Sequence, residues 1–287
     1  LNQIATTSGL TNTYIRDLMK GNIANANRSK LIAFSTTVGL TLNETDDLLT
    51  VFDRAKLSLD DIPIFIETAK KRKASNAFYP VRDFFGYELL TLAAEQINGP
   101  KVLFSSRPSN ALRPEGHRTY IDKNREGIHE IHNAVKEAIG KERKRNLDDQ
   151  LSRYPMYHYI EKTCLEEYID KHLEPAEREW RKKHIELLIE HIRQFDNYKL
   201  FLTKIPSAFT FFIKYAETMD MPERIFLTGC DISQYPGKVS GQIVGYFTGN
   251  LTILEQFNKE VDILKENVYE EFLERNKLIS FLEGLIS

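Results

Sequence analysis

Three glycines, Gly9, Gly21 and Gly39, divide the start of this 287-residue chain into short helix-like segments. Each lies just past a run of apolar residues at helical spacing, where helices commonly end in the left-handed conformation. Thr41 stands at a helix start, with Glu44 three residues later in the order of a capping box. Helices this short are marginal alone, so they must pack around a small shared core. The pattern predicts helices over residues 1–8, 12–19, 29–38, 43–52 and 58–70.

The first two segments meet the requirements of a helix-turn-helix. Ala5 is the small residue where the first helix would face the second, and Gly9 allows a sharp turn with positive φ. Ile15 and Leu18 are apolar anchors for the second helix, so its opposite face is free to enter a DNA major groove. The alternative is a plain pair of packed helices that binds no DNA.

Candidate DNA contacts lie on and just after the second helix. Asparagine can pair with adenine and arginine with guanine, while threonine can bond a base or touch a thymine methyl. Asp17, on the same face, would repel phosphate unless it pairs with Arg16 or a cytosine. The candidate base contacts are Asn12, Thr13 and Arg16. The candidate phosphate contacts, which would fix the register of the reading helix, are Thr11, Lys20, Asn25, Asn27, Arg28 and Lys30.

The stretch "IATTSGLTNTYIRDLMKGNIANANRSKLIAFSTTVGLTLNETDDLL" resembles, almost end to end, the phage lambda repressor and Cro-like helix-turn-helix family, the XRE family. The resemblance implies a bacterial or phage-type transcriptional regulator, such as a repressor, that binds double-stranded operator DNA as a homodimer. Members of the family normally begin with a further helix before the one that starts here at Leu1. The resemblance therefore also implies that the N-terminal helix of the domain is truncated in this sequence.

Composition limits the remaining possibilities. The chain is 41% hydrophobic and 28% charged, which is typical of a soluble globular protein. Its net charge of -2 gives no overall basic signature, so DNA must be bound by a local patch. No apolar run is long enough to cross a bilayer and no leader opens the chain, so we expect a cytoplasmic protein with no membrane partner.

A basic run at residues 70–73, followed by Pro80, marks the expected boundary between two domains. We expect the run to be a solvated helix end, although it could touch the DNA backbone. Residues 1–72 would form an all-α helix-turn-helix domain, and residues 73–287 an α/β or α+β domain that senses a signal or dimerises. In the second domain the pattern predicts helices over 83–97, 126–146 and 176–195, strands over 101–106, 198–204, 208–216, 224–230 and 241–249, and one long final helix over 251–286.

The predicted final helix has apolar residues spaced by three and four. This period is typical of a coiled-coil seam between two chains, but packing on the domain's own sheet explains it equally well. The residues that carry the pattern are Leu254, Phe257, Val261, Leu264 and Val268.

The order of strands and closing helix between residues 190 and 264 is faintly similar to phospholipase-D-like effector domains of some bacterial regulators. The HxKxxxxD signature of the active hydrolases does not occur in the chain. The resemblance therefore implies dimerisation or the sensing of an unidentified small-molecule or peptide effector, and no hydrolysis. The effector-binding residues are unknown; aromatic residues that could line a pocket, or simply belong to the core, are Tyr198, Phe211, Tyr215, Tyr235 and Tyr246.

Nothing in the pattern predicts an enzyme. The chain has no GxSxG, GxxxxGK[ST] or GxGxxG motif, so we expect no catalytic residue and no cofactor. His129 and His132 could place two imidazoles near one helix face, but without a third ligand we expect no metal site. Cys164 and Cys230 are expected to be reduced thiols, each a buried small hydrophobe. The alternative function is a helical protein-interaction module fused to an enzymatic C-terminal domain.

Overall fold

The first part of the protein is helical, as the glycine pattern predicts. The computed structural model describes residues 1–23, 25–72, 79–81, 84–122, 129–170, 172–207, 209–217, 224–228 and 245–287. The helices of the first part are α1 (Asn2–Ser8), α2 (Asn12–Met19), α3 (Arg28–Val38), α4 (Leu42–Val51) and α5 (Ile62–Lys70). A short 3-10 turn, Leu59–Asp61, precedes α5.

Local sequence signals account for the ends of these helices. Gly9, Gly21 and Gly39 have φ values of 70°, 70° and 79°, the left-handed conformation that the sequence predicts. Thr41 and Glu44 form the predicted capping box at the start of α4, because each side chain accepts a hydrogen bond from the other residue's backbone N–H. The helix bounds predicted from the sequence are therefore confirmed to within a few residues.

The second part of the protein alternates helices and strands. Its helices are α6 (Phe84–Glu95), α7 (His117–Asp122), α8 (His132–Leu151), α9 (Lys162–Tyr168), α10 (Pro175–Gln194), α11 (Leu251–Glu266) and α12 (Arg275–Ile286). Its strands are β1 (Tyr79–Val81), β2 (Lys101–Phe104), β3 (Met156–Glu161), β4 (Tyr198–Thr203), β5 (Thr210–Lys214), β6 (Arg224–Thr228) and β7 (Gly245–Thr248).

Within the described residues the strands form one mixed sheet in the order β1-β7-β6-β5-β2-β3-β4. Strands β2, β3 and β4 are parallel neighbours, whereas β5, β6, β7 and β1 pair antiparallel. The parallel strands are connected through α8 and α10, as parallel pairs require a crossover. The prediction of a layered α/β or α+β part is thus confirmed as helices on a mixed sheet.

Helices cover both faces of the sheet. Successive residues of β2 point to opposite faces: Leu103 belongs to the core on one face, whereas Val102 and Phe104 belong to the core on the other. The Leu103 face is covered by α6, α8, α10 and α12. The opposite face is covered by α11.

Helix α6 joins the two parts of the protein. One side of α6 contributes Leu90 to the core on the sheet, and another contributes Phe85 to a core shared with α3 and α5. The Phe85 ring packs edge-to-face on Phe65 of α5, with 5.2 Å between the ring centroids. This burial on both sides explains why the sequence of α6 is apolar all round.

The second part differs from the sequence prediction in its final segment and in two strands. The final segment is helical, but a turn that contains Glu270–Phe272 divides it into α11 and α12. The heptad-like residues of α11 face the protein's own sheet, which is the second of the two interpretations left open above. Strands β1 and β3 were not predicted from the sequence. No helix in the described ranges is both long and apolar enough to span a membrane.

Candidate functional site

The candidate DNA-contacting residues lie around α2. Gly9, Leu10 and Thr11 connect α1 to α2, and a short turn with Gly fits the connection of a helix-turn-helix. Ile15 and Leu18 are buried, as predicted, and Leu10 is buried beside them. In α1, Ile4 and Ala5 are half-buried.

The outer face of α2 carries the three candidate base contacts. Thr13 and Arg16 are exposed, and Asn12 is half-buried. Asn12 Nδ2 donates to Asn2 Oδ1 at 2.7 Å, so α1 holds part of this amide. Asp17, the acidic residue of concern on this face, is half-buried. Arg16 and Thr13 therefore have the most accessible side chains of the set.

Two candidate phosphate contacts are helix caps. Thr11 Oγ1 accepts a hydrogen bond from Tyr14 N at 3.1 Å, and Asn27 Oδ1 accepts one from Lys30 N at 3.2 Å. A cap uses an acceptor, so the hydroxyl and the amide each keep a donor for a phosphate oxygen. Lys30 Nζ lies 4.9 Å from the centroid of the Tyr14 ring, which places this cation next to α2. The candidates that are exposed are Thr11, Lys20, Asn25, Asn27 and Lys30.

Arg28, the remaining candidate phosphate contact, is bonded to the segment before α5. Its Nη1 and Nη2 donate to the two carboxylate oxygens of Asp61, with Nη2 at 2.7 Å from Oδ2. Its Nε and Nη2 also donate to the carbonyl oxygens of Ala55 and Lys56. Burial raises the pKa of Asp61, but its bonds to Arg28 and Ser58 outweigh burial and lower it. The guanidinium is thus committed to joining α3 to the segment before α5.

Charge is distributed unevenly along the helical part. Residues 1–40 contain four Lys or Arg and one acidic residue, whereas residues 41–67 contain two Lys or Arg and seven acidic residues. The segment with α2 is therefore the basic one, and the segment with α4 would be repelled by a phosphate backbone.

The predicted solvated run at residues 70–73 is partly packed against its surroundings. Arg72 donates a hydrogen bond to the carbonyl oxygen of Thr37, and its guanidinium lies 5.0 Å from the centroid of the Tyr79 ring. Lys70 Nζ lies 3.1 Å from Glu142 Oε2 of α8. Lys73 lies outside the described residues. These contacts tie the end of α5 to the second part of the protein.

The other residues singled out in the sequence have ordinary partners. His129 Nε2 lies 2.9 Å from Asp46 Oδ2, and the part of the chain described here contains no group of three or more His, Cys, Asp or Glu placed to hold a metal. Cys164 is half-buried, and burial together with Glu161 raises the pKa of its thiol to about 12. Cys230 lies outside the described residues.

The five aromatic candidates do not gather into one pocket. Tyr198 and Phe211 are buried in the core on opposite faces of the sheet. The Tyr215 hydroxyl donates to Asn258 Oδ1 at 2.5 Å, and Tyr246 is 40% exposed. Tyr235 falls on residues that the structure does not describe.

A cavity of about 350 Å³, which was not predicted from the sequence, lies at the carboxyl ends of β2 and β3. In open α/β sheets this edge is the usual place for a ligand. Arg107 and Arg113 lie six residues apart in the loop after β2, and His117 follows four residues later at the start of α7; this spacing was the signal available in the sequence. The residues that line the cavity are Arg107, Arg113, His117, Tyr120, Ile121, Tyr168, Leu173, Glu174, Glu177 and Arg181.

Two buried histidines hold the loop that carries these arginines. His184 Nε2 lies 3.0 Å from the Ser109 carbonyl oxygen, which can only accept, so Nε2 carries the hydrogen. His184 Nδ1 then accepts from the Tyr168 hydroxyl at 2.8 Å. Burial lowers the pKa of His184 well below its ordinary value, and Arg113 lowers it further. The imidazole is therefore neutral when it makes both bonds.

His158 fixes the start of the same loop in the same way. The Ser105 hydroxyl donates to the Arg107 carbonyl oxygen at 2.6 Å, so it accepts from His158 Nε2 at 2.8 Å. His158 Nδ1 accepts from the Tyr198 hydroxyl at 2.9 Å. Burial and the charge of Lys101 lower the pKa of His158 to about 3. A neutral histidine thus connects β3 and β4 to the backbone of Arg107.

No protein-family model, curated protein or solved structure matches the chain. The residues themselves therefore carry all the evidence for function.

Proposed function

We propose that this protein is a DNA-binding transcriptional regulator of the lambda repressor-like type that reads its operator with α2. The observation that carries the proposal is the two-sided character of this helix. Ile15 and Leu18 are buried in the helical part, while Thr13 and Arg16 face solvent. A reading helix needs such a combination, because its buried side fixes the orientation in which its polar side enters the major groove.

The surrounding residues support the same proposal. Lys20 and Lys30 are exposed near the two ends of the segment that joins α2 to α3, where they can bind phosphates on either side of the groove. Thr11, Asn25 and Asn27 add neutral donors. Arg28 is left out of this set because Asp61 holds it. The acidic segment at residues 41–67 would face away from the DNA.

The proposal assigns residues 1–72 to DNA binding and residues 73–287 to sensing and dimerisation in the cytoplasm. One reading helix contacts few base pairs, so two copies on a palindromic operator are needed for useful specificity. Contacts between α5 and the second part, such as the ring pair Phe65–Phe85, give a physical route between the two functions.

Selection of bound fragments from a random DNA pool tests the proposal. The wild-type protein should enrich a palindrome with half-sites one helical turn, about 34 Å, apart. Arg16→Ala should relax the preference at one base position by about 1–3 kcal/mol, because that side chain would contact a base edge. Lys30→Ala should weaken binding to all sequences. It should also reduce the slope of log K against log salt concentration by about one, because one phosphate contact is lost.

The matched control is Arg145→Ala, which removes an exposed arginine on α8 that pairs with Glu142. This variant should bind DNA as the wild type does. Enrichment of no sequence by the folded protein would contradict the proposal. Equal effects of the Arg16 and Lys30 changes on every sequence would contradict the two assigned roles.

A further inference from the structure

The cavity at the carboxyl ends of β2 and β3 is lined by basic side chains from three separate elements. Arg107 and Arg113 lie in the loop after β2, His117 lies on α7, and Arg181 lies on α10. Arg113 is only 6% exposed; His117 is 1% exposed, and burial lowers the pKa of its imidazole. A basic side chain is rarely buried this deeply unless a group of opposite charge compensates its charge.

The acidic residues of the cavity compensate only part of this charge. Glu177 Oε1 accepts from Arg181 Nε at 2.7 Å and lies 3.6 Å from His117 Nε2. Glu174 Oε2 accepts from the Tyr120 hydroxyl at 2.8 Å. The three arginines that line the cavity therefore exceed its two carboxylates.

Arg113 has no acidic hydrogen-bond partner among the described contacts. Its Nη2 donates to Asn110 Oδ1 at 2.7 Å, and its buried Nε has no hydrogen-bond partner. Burial and the neighbouring cations Arg107 and Arg118 lower the pKa of Arg113 to about 10. The neighbours of this guanidinium thus include further positive charges, and an added anion would relieve the repulsion.

His117 also has unused hydrogen-bonding groups inside the protein. Among the described residues its Nδ1 is buried without a hydrogen-bond partner, and its buried Nε2 has only the Glu177 carboxylate at 3.6 Å, beyond hydrogen-bond distance. Its ring stacks on Trp180, with 5.7 Å between the ring centroids and 4° between the planes. Buried polar atoms without partners are rare in native structures and often mark a place where a ligand or water completes the bonding.

We propose that this cavity binds the phosphate group of a small phosphorylated molecule through Arg107, Arg113 and Arg181. Guanidinium groups match phosphate oxygens with two parallel hydrogen bonds, and a phosphate monoester carries a charge of about −1.5 to −2 at neutral pH. The cavity volume of about 350 Å³ falls within the range of small-molecule sites, so it holds more than an inorganic phosphate. Tyr120 and Tyr168 line it and offer aromatic surface to the rest of the ligand.

This inference deepens the sensing role proposed above by naming the chemistry of the effector. Its test uses no DNA, so that failure of one proposal is distinguishable from failure of the other. Trp180 is the sole tryptophan of the chain and stacks beside the cavity on His117, so its fluorescence reports binding there. The full chain is titrated with adenosine monophosphate, ribose 5-phosphate and the uncharged control adenosine, by fluorescence and by calorimetry.

Both phosphorylated probes should bind, and adenosine should not bind measurably. Arg113→Met should weaken binding about 10- to 100-fold, the usual range for losing a hydrogen bond to a charged group. Arg107→Met serves as a second variant if the first does not fold. Arg193→Met is the matched control, because this exposed arginine lies three turns further along α10 than Arg181 and does not line the cavity.

The ligand-free Arg113→Met protein provides an independent measurement. Because the change removes a buried cation that lacks an acidic partner, its Tm should rise by about 2–4 °C, and added ribose 5-phosphate should no longer raise it. The proposal is overturned if neither phosphorylated probe binds at about 10 mM, a concentration at which even weak binding is detected. Adenosine binding as tight as that of adenosine monophosphate, or equal weakening by the Arg193 change, would overturn it as well.

Discussion

Arg143→Met should lower the free energy of unfolding by about 3–5 kcal/mol, because it breaks a buried ion-pair network. Arg143 Nη1 lies 2.6 Å from Glu88 Oε2, and its Nε lies 2.9 Å from Glu95 Oε2. Lys101 Nζ lies 2.7 Å from Glu95 Oε1. All four side chains are buried, so water cannot replace the lost guanidinium. Unfolding in urea, followed by circular dichroism, measures the change.

The network explains why so large an effect is expected at one residue. Burial raises the pKa of Glu95, but Arg143 and Lys101 outweigh it and bring the pKa to about 2. The network also joins three elements, since Glu88 and Glu95 lie on α6, Arg143 on α8 and Lys101 on β2. Removing the arginine therefore loosens the contact of two helices with the sheet.

Arg145→Met is the control on the same helix. Its Nη2 lies 2.6 Å from Glu142 Oε2, a shorter ion pair than some in the network, but the Arg145 side chain is 62% exposed. Exposed pairs contribute about 0–1 kcal/mol, so this variant should be nearly as stable as the wild type. A loss at Arg143 no larger than the loss at Arg145 would show that the buried network does not stabilise the fold.

The helical part was predictable from the sequence because its signals are local. Each of Gly9, Gly21 and Gly39 ends a segment through its own conformation, and the capping box of Thr41 and Glu44 spans only four positions. Strand β3 was missed because its sequence, MYHYIE, lacks a simple alternation: it is buried on both faces between β2 and β4. Its strand character depends on neighbours that are distant in sequence.

The two candidate sites also differ in how far apart their residues lie in the sequence. The outer face of α2 consists of consecutive turns of one helix, so its pattern can be recognised in the sequence. The arginine cavity combines Arg107 and Arg113 with Arg181, which follows about seventy residues later on α10. The bond between Arg28 and Asp61 was not predictable for the same reason, because the two residues lie 33 positions apart and no local pattern indicates that the pair forms.

Between pH 7.5 and pH 5 the free energy of unfolding should fall by about 4 kcal/mol because of two buried histidines, His158 and His184. In the folded protein burial lowers the pKa of both, to about 3 for His158. In the unfolded chain a histidine titrates near its ordinary pKa of about 6.5. Below this value the unfolded chain takes up protons that the folded protein does not. The stabilising contribution is therefore complete above about pH 6.5 and is lost as the pH falls towards the folded values.

The pH dependence of urea unfolding in His184→Gln separates this contribution from that of the carboxyl groups. The variant should lose about 2 kcal/mol less than the wild type over the same interval, because one of the two imidazoles is gone. His172→Gln, at an exposed histidine beside the start of α10, should keep the wild-type dependence. Identical pH dependence in His184→Gln and the wild type would contradict the neutral, buried state of this imidazole. Protonation of His184 or His158 in the folded protein would break the hydrogen bonds that Nδ1 accepts from the Tyr168 and Tyr198 hydroxyls, whereas the bonds that Nε2 donates to Ser109 and Ser105 would remain.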